Sequence, residues 1–224
     1  MRASGPSEMS EGGKIYVVSA GRMSMGPAED AFRTVWPEAR TVHLLDESIF
    51  SDAARIGASS PEMLRRFELL GEYCAVANAR AVLFTCSAFA EAIGRIRRVR
   101  PFPVLTPNEA LLERLLETPG RTALLVTFRP SVDALRDELE GIAAARGVAP
   151  RVDFHFVPDA FEEPDHDRRV VDACLRLDAD YTALAFGQFS MVSAAPQARA
   201  RCSVPIWDTP STAVEKLKRR CEAQ

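Results

Sequence analysis

The sequence lacks the features that mark several large classes of protein. It has no two cysteines spaced as C-x-x-C and no His-Glu-x-x-His motif, which argues against a zinc site or a redox dithiol. No apolar run approaches the roughly 20 residues that a membrane-spanning helix needs. A net charge of −3 gives no reason to expect nucleic-acid binding. We therefore expect no metal, no membrane segment and no nucleic-acid partner.

Signals for secretion are also missing. Residues 1–13 are polar and rich in Gly and Ser and contain no apolar signal core, so we predict a disordered leader there. The five cysteines are an odd number, which fits a reducing cytosol and predicts a cytoplasmic protein. The 224 residues, 47% of them hydrophobic, suffice for one large domain or two small ones with their own cores.

Short apolar runs alternate with amphipathic helical patterns along the chain. The runs predict strands at Lys14–Ser19, Arg40–Leu45, Ala81–Thr85, Val104–Leu105, Thr122–Thr127, Arg151–Val157, Thr182–Phe186 and Val204–Trp207. Among the helical patterns between them are Pro61–Asn78 and Ser131–Arg146. This alternation indicates an α/β protein, with mostly parallel sheets and helices on both faces.

The second half of the chain repeats junctions of the first half. Cys86 follows the third predicted strand and Gln188 follows the seventh, at an offset of 188 − 86 = 102. The segment Pro103-Val104-Leu105 matches Pro205-Ile206-Trp207, and the offset of the two prolines is also 205 − 103 = 102. Any α/β protein repeats strand–helix units, but two identical offsets favour a duplicated chain.

The duplication predicts two pseudo-symmetric, Rossmann-like lobes. We assign residues 14–106 plus 208–224 to the first lobe and residues 107–207 to the second. Ligands of such folds bind at the carboxyl ends of the strands. The active site is therefore expected in the cleft between the lobes, and the side chains that line it are expected to be Ser19, Cys86, Thr127 and Gln188.

Cys86 lies where a reactive cysteine is expected. The pattern places it between a buried strand and a helix N-terminus, where free backbone N–H groups and the helix dipole favour a thiolate. We therefore predict that its pKa is lowered and that Ser87 is the N-cap. The neighbouring N–H groups, including that of Ala88, can hold a carboxylate or an enolate. Cys74 and Cys174 lie on helical patterns and are typical of buried core cysteines.

Several polar residues at other strand ends are candidates for binding a ligand, each with a plain structural alternative. The Thr127 hydroxyl could bind a carboxylate or could belong to a simple turn into a helix. Ser19 begins a loop that could donate to an anion or could face solvent. Phe189 and Ser190 follow Gln188 and complete the predicted second half of the site.

These motifs resemble the aspartate/glutamate racemase superfamily. It includes the racemases of glutamate, aspartate and hydantoins, maleate isomerase and arylmalonate decarboxylase. The resemblance covers nearly the whole chain after Lys14. It rests on the order and spacing of five segments, His43-Leu-Leu-Asp-Glu-Ser48, Leu83-Phe-Thr-Cys86-Ser-Ala, Leu125-Val-Thr127, Pro158-Asp-Ala-Phe161 and Phe186-Gly-Gln188-Phe-Ser-Met191.

The resemblance implies a cofactor-independent enzyme in which two cysteines face a substrate carbon from opposite sides. Cys86 matches the first of them, but Gln188 stands at the position of the second, and an amide has no usable proton-transfer pKa. The implied function is a racemase/isomerase-like reaction on a small carboxylate or amino-acid-derived substrate, with Cys86 as acid/base or nucleophile. The implied substrate-binding residues are Ser19, Ser87, Ala88, Thr127, Gln188, Phe189 and Ser190.

Two alternatives stay open at this point. One is a lyase similar to arylmalonate decarboxylase, which also uses a single cysteine but keeps it in the second half. The other is a non-catalytic binding protein for small acids. The resemblance also allows a homodimer, because members of the superfamily often form dimers.

Overall fold

The computed structural model describes residues 13–129, 131–158, 160 and 164–224, so the predicted leader lies outside the described residues except for Gly13. The strands are β1 (Lys14–Ser19), β2 (Thr41–Leu45), β3 (Ala79–Phe84), β4 (Val104–Leu105), β5 (Thr122–Val126), β6 (Val152–Phe156), β7 (Ala183–Phe186) and β8 (Ile206–Asp208). The α-helices are α1 (Met25–Val35), α2 (Ser48–Ile56), α3 (Pro61–Val76), α4 (Ala90–Val99), α5 (Glu109–Glu117), α6 (Ser131–Arg146), α7 (His166–Leu177), α8 (Ala195–Arg201) and α9 (Thr209–Glu222). None of these helices combines the length and the apolar character that crossing a membrane requires.

The strands form two four-stranded parallel sheets with the same topology. The order is β2-β1-β3-β4 in the first sheet and β6-β5-β7-β8 in the second. Strands β1 to β4 therefore correspond one by one to β5 to β8. The predicted fold class, two Rossmann-like α/β units with parallel sheets flanked by helices, is confirmed.

A repeated hydrogen bond from a helix arginine to a strand carbonyl extends the duplication beyond the strands. The Nε atom of Arg97 donates to the carbonyl of Val104 at 2.8 Å, and the Nε atom of Arg199 donates to the carbonyl of Ile206 at 3.0 Å. Donors and acceptors both differ by 102 residues, since 199 − 97 = 206 − 104 = 102. The offset seen at Cys86 and Gln188 is thus shared by interactions that the sequence patterns did not reveal.

Successive side chains of each strand point to opposite faces of the sheet, and each face buries the side chains that point to it. In β1, Val17 packs with Leu217 of α9, whereas Val18 packs with Ile93 of α4. The helix that follows β4 covers the opposite sheet, because Leu112 of α5 packs with Leu124 of β5. The chain thus crosses between the two units after β4 and again after β8. The lobe boundaries at 106/107 and 207/208 stay a prediction, and Asp208 itself pairs with the second sheet.

Several predicted element ends differ from the observed ones by one or two residues, and two of these differences have an identifiable reason. Strand β8 begins at Ile206 instead of Val204, because the carboxylate of Asp178 accepts the backbone N–H groups of Ser203 and Val204 at 2.9 and 3.1 Å. Helix α3 ends at Val76 instead of Asn78, and Asn78 has a left-handed φ of 55° that stops the helix.

Candidate active site

Cys86 and Gln188 occupy equivalent backbone positions at the carboxyl ends of β3 and β7. Cys86 is extended with φ −118° and ψ 123°, and Gln188 is extended with φ −142° and ψ 146°. Each residue is followed by a 3-10 turn, formed by Ser87–Phe89 in one case and Phe189–Ala194 in the other. The prediction of Ser87 as N-cap is wrong, because the extended backbone of Cys86 already begins the turn.

Both turns lie where the two lobes meet. The turn after Cys86 contacts α6, and the turn after Gln188 contacts α1. Phe189 is only 5% exposed and packs in the cluster that contains Val17 and Leu105 of the first sheet. Each turn therefore contacts the helix that follows the first strand of the opposite sheet, α6 after β5 and α1 after β1, as a pseudo-two-fold relation between the halves requires.

The side-chain amide of Gln188 is fixed by three donors from the segment after β5. Its Oε1 atom accepts the backbone N–H of Thr127 at 2.6 Å, the hydroxyl of Thr127 at 3.0 Å and the backbone N–H of Phe128 at 3.2 Å. Backbone N–H groups only donate, so the amide atom that meets them is the oxygen. Its Nε2 atom, which makes no hydrogen bond to a described residue, remains a free donor at the lobe junction.

Thr127 is thus placed beside Gln188, as the sequence predicted, but its polar groups are already engaged. The residue is 2% exposed, and both its N–H and its hydroxyl point to the Gln188 oxygen. The donor set that could hold a carboxylate oxygen holds an amide oxygen of the same chain instead.

A buried chain of hydroxyls lies beneath Cys86 in the first lobe. Thr85 Oγ1 lies 2.8 Å from Ser24 Oγ and 3.1 Å from Ser19 Oγ. All three residues are at most 9% exposed. Thr85 and Ser24 were not among the predicted site residues, although a threonine directly before Cys86 at the end of an apolar strand is a signal that could have revealed the first of them.

The Cys86 thiol does not have the lowered pKa that the sequence predicts. Burial raises its pKa to about 11, and the N–H of Ala88, which hydrogen-bonds the sulfur, only partly offsets this effect. The residue keeps some contact with solvent, yet protein atoms surround the sulfur on most sides, so desolvation of the charged form dominates. The resting group is therefore a thiol at neutral pH.

The remaining predicted site residues differ in how far they are exposed to solvent. Ala88 is exposed and Ser190 is half-buried, while the side chain of Ser87 lies outside the described ones. Arg22, in the loop after β1, makes an exposed bidentate ion pair with Glu47, at 2.8 Å for its closest contact. Within the described ranges, no group of three or more His, Cys, Asp or Glu side chains is placed to hold a metal ion.

A second group with a raised pKa, the carboxyl of Glu138, lies where the chain crosses between the lobes after β4. Glu138 of α6 accepts a 2.6 Å hydrogen bond from the hydroxyl of Thr106, and burial, together with the nearby charge of Glu109, raises its pKa to about 7. Glu109 itself is held ionised by Arg97 and by Lys216, whose Nζ lies 2.7 Å from Glu109 Oε1. Sequence patterns gave no sign of Glu138, because its partners come from distant elements.

We expect Glu138→Gln to stabilise the protein at pH 8 and to have little effect at pH 5. The folded-state pKa of Glu138 is above its unfolded value of 4.5, so ionisation costs stability increasingly as pH rises from 4.5 to about 7. Removing this cost should raise the free energy of unfolding by roughly 1 to 2 kcal/mol above pH 7. Thermal melts of the variant and of Glu140→Gln, an exposed control on the same helix, measure it. A gain at pH 5 as large as that at pH 8 would contradict the assignment.

The fold is shared with solved structures of several racemases and of a decarboxylase. Allantoin racemase from Klebsiella pneumoniae superposes with a TM-score of 0.69 at 16% identity, over 92% of this chain and 86% of that chain. An aspartate racemase homologue from Pyrococcus horikoshii gives 0.67 at 13% identity, over 93% and 99%. Unliganded arylmalonate decarboxylase gives 0.58 at 16% identity, over 93% and 92%.

Sequence comparison adds nothing to this likeness, since no family model and no curated protein matches the chain. The structural likeness extends over almost the whole described chain and includes both halves. The chain therefore shares the fold of these racemases and of arylmalonate decarboxylase, as the resemblance of its sequence motifs implied.

Proposed function

We propose that this chain is a cofactor-independent, racemase/isomerase-like enzyme that moves a proton at a carbon next to a carboxylate. Cys86 is the single proton-transfer group, and it works on one face of the substrate. The observation that carries the proposal is the fixed Gln188 amide, which stands where the second thiol of a two-cysteine enzyme would be expected. The shared fold with racemases supports the reaction class.

The two residues have complementary roles in this proposal. The Cys86 thiolate takes the α-proton, the C–H electron pair moves toward the carboxylate, and an enediolate forms. The Nε2 group of Gln188 donates to an oxygen of that enediolate, and the hydrogen bonds to Oε1 keep the amide from rotating. Return of the proton from the Cys86 thiol, at the same or a conjugated carbon, completes an isomerisation or an exchange.

Decarboxylation is a second candidate, and the raised pKa of Cys86 favours it. A protonated thiol is already suited to give a proton to an enediolate that forms when a carboxylate leaves as carbon dioxide. The fold shared with arylmalonate decarboxylase agrees with this possibility. The thiolate left behind recovers its proton from water.

Two readouts on one panel of compounds separate the candidates. We would incubate the protein in D2O with the enantiomers of aspartate and glutamate and with a 2-aryl-2-methylmalonate, and follow deuterium uptake and carbon dioxide release. Uptake at an α-carbon without carbon dioxide supports the proposal, and carbon dioxide from the malonate supports the lyase. Binding without either reaction would contradict both and leave a binding protein.

Gln188 provides a sharper test through two matched variants. Gln188→Glu keeps an acceptor for Thr127 and Phe128 but loses the free donor, so we expect a fall in kcat/KM of roughly 10- to 100-fold with little loss of stability. Gln188→Ala removes donor and acceptor together, so that the N–H groups of Thr127 and Phe128 lose their Gln188 acceptor, and should lower both activity and the Tm. Full activity of Gln188→Glu would show that the Nε2 group takes no part.

A further inference from the structure

A row of four phenylalanines runs from the core of the first lobe to its surface beside the turn after Cys86. The ring centroids of Phe84 and Phe67 lie 5.6 Å apart, and those of Phe67 and Phe89 lie 4.7 Å apart. Each of these three residues is only 2% exposed. Phe50 of α2 continues the row at 6.4 Å from Phe89, but it is 46% exposed. The row therefore ends in an aromatic surface that is open to a ligand.

Phe50 lies where three strand-end segments of the candidate site meet. It follows β2, and its ring packs against Phe89 at the end of the turn after β3. Its Cε2 atom lies 3.6 Å from the position that a Cβ atom would take on Gly21, in the loop after β1. Met23 follows in that loop, is 47% exposed, and its Cγ atom lies 3.9 Å from the same position. The short turn that contains Met23 also contacts the turn after Gln188. Phe50 and Met23, called the apolar rim below, thus lie beside both halves of the site.

A set of ionic hydrogen bonds fixes the helix that carries Phe50. The guanidinium of Arg66 in α3 donates to Asp46 and to Asp52 at 2.6 Å each, and these two acids lie on either side of Phe50 in the sequence. It also donates to the hydroxyl of Ser48 at 2.7 Å, and that hydroxyl donates to Asp46 at 2.6 Å. The first turn of α2 is therefore tied to α3. A ring held in this way offers a preformed wall, which needs little ordering when a ligand binds.

The positive charges on this side of the site already have partners. Arg22, in the loop after β1, pairs with Glu47 at 2.8 Å, and Arg55 of α2 pairs with Asp52 at 3.3 Å. The guanidinium of Arg66 is shared between two carboxylates. A substrate with a second carboxylate, such as aspartate or glutamate, would therefore find no unpaired cation in the described part of this loop or of α2. An apolar group would find the apolar rim.

We propose that the apolar rim receives the substituent on the reacting carbon, so that this chain acts on acids with an apolar α-substituent and not on acidic amino acids. This inference rests on the proposed function, because it takes the reacting carbon to lie beside Cys86. The donors at Gln188 then hold the carboxylate, and the substituent points toward Phe50. Contact with the ring removes apolar surface from water, whereas a charged substituent would lose hydration there without gaining a partner.

Binding of two matched acids tests the proposal without turnover. Phenylacetate and succinate both carry a carboxylate on a CH2 group, which bears a phenyl ring in one and a second carboxylate in the other. Titration calorimetry of the full chain should give a Kd for phenylacetate at least about tenfold lower than that for succinate. Phe50→Ala should raise the Kd for phenylacetate roughly tenfold, and Phe50→Leu, which keeps an apolar surface, should raise it less. Val148→Ala, at an exposed apolar position after α6, is the control and should change neither Kd.

Three outcomes would overturn the proposal. They are succinate bound as tightly as phenylacetate, no binding of phenylacetate, and a Phe50→Ala variant that keeps the wild-type Kd while circular dichroism shows it folded. Exchange of the α-proton of 2-phenylpropionate with D2O separates this inference from the proposed chemistry. Selective binding of phenylacetate without that exchange would support the apolar rim and contradict the role of Cys86. Exchange of aspartate in preference to 2-phenylpropionate would support the role of Cys86 and contradict the apolar rim.

Discussion

Replacing Cys86 with serine is expected to lower the rate of proton transfer by about 10³-fold, within the range that a positioned acid or base contributes. A serine hydroxyl keeps the approximate size of the thiol and can accept the same Ala88 N–H, but it is a far weaker acid. The loss should therefore appear in kcat, with KM and thermal stability close to wild type. The measurement is the initial rate of deuterium uptake on the best substrate of the panel.

A matched control is available in Cys202, the other partly exposed cysteine among the described residues. It packs beside the second-lobe core, away from the lobe junction, so Cys202→Ser should keep full activity. Equal losses in the two variants would indicate a general effect of thiol removal. Unchanged activity in Cys86→Ser would refute the role assigned to Cys86.

The pH dependence of the reaction should be steep if Cys86 acts first as a base. With a pKa of about 11, the thiolate fraction grows about tenfold for each pH unit through the neutral and mildly basic range. We therefore expect kcat/KM for α-proton exchange, measured from initial rates at fixed pH, to rise about 10³-fold between pH 7 and pH 10. Exchange measured at each pH without protein gives the background to subtract.

The same profile separates the two catalytic candidates. A decarboxylase needs the thiol as an acid, so its rate should stay level up to pH 10 and fall only as the pKa of Cys86 is passed. A level profile for proton exchange would therefore contradict a rate-limiting removal of the proton by the Cys86 thiolate. Labelling of Cys86 by iodoacetamide should follow the same rising curve, because the thiolate is the reacting form.

The fold could be predicted from the sequence because its signals are local and repeated. Short apolar runs predicted the strands, and the offset of 102 between Cys86 and Gln188 predicted the correspondence of the halves. The Arg97 and Arg199 bonds show why the offset is so regular, since the helix after each third strand is tied to the fourth strand in the same way.

The electrostatics of the site could not be predicted in the same way. The position of Cys86 at a helix start suggested a low pKa, but desolvation depends on how densely the folded chain packs around the sulfur, and a strand-end pattern carries no information about that. The engagement of Thr127 by Gln188 likewise joins residues 61 positions apart. Glu138 and Thr106 meet only because α6 returns to the crossing between the lobes.

The central claim is that one thiol serves one face of the substrate, and the stereochemistry of deuterium uptake tests it most directly. A single enantiomer of an exchanging acid is incubated with the wild-type protein in D2O, and the configuration at the labelled carbon is determined early in the reaction. The proposal predicts deuterium with retained configuration, and uptake about 10³-fold slower in Cys86→Ser. Deuterium in the inverted enantiomer at a comparable rate would require a second proton-transfer group and would contradict it.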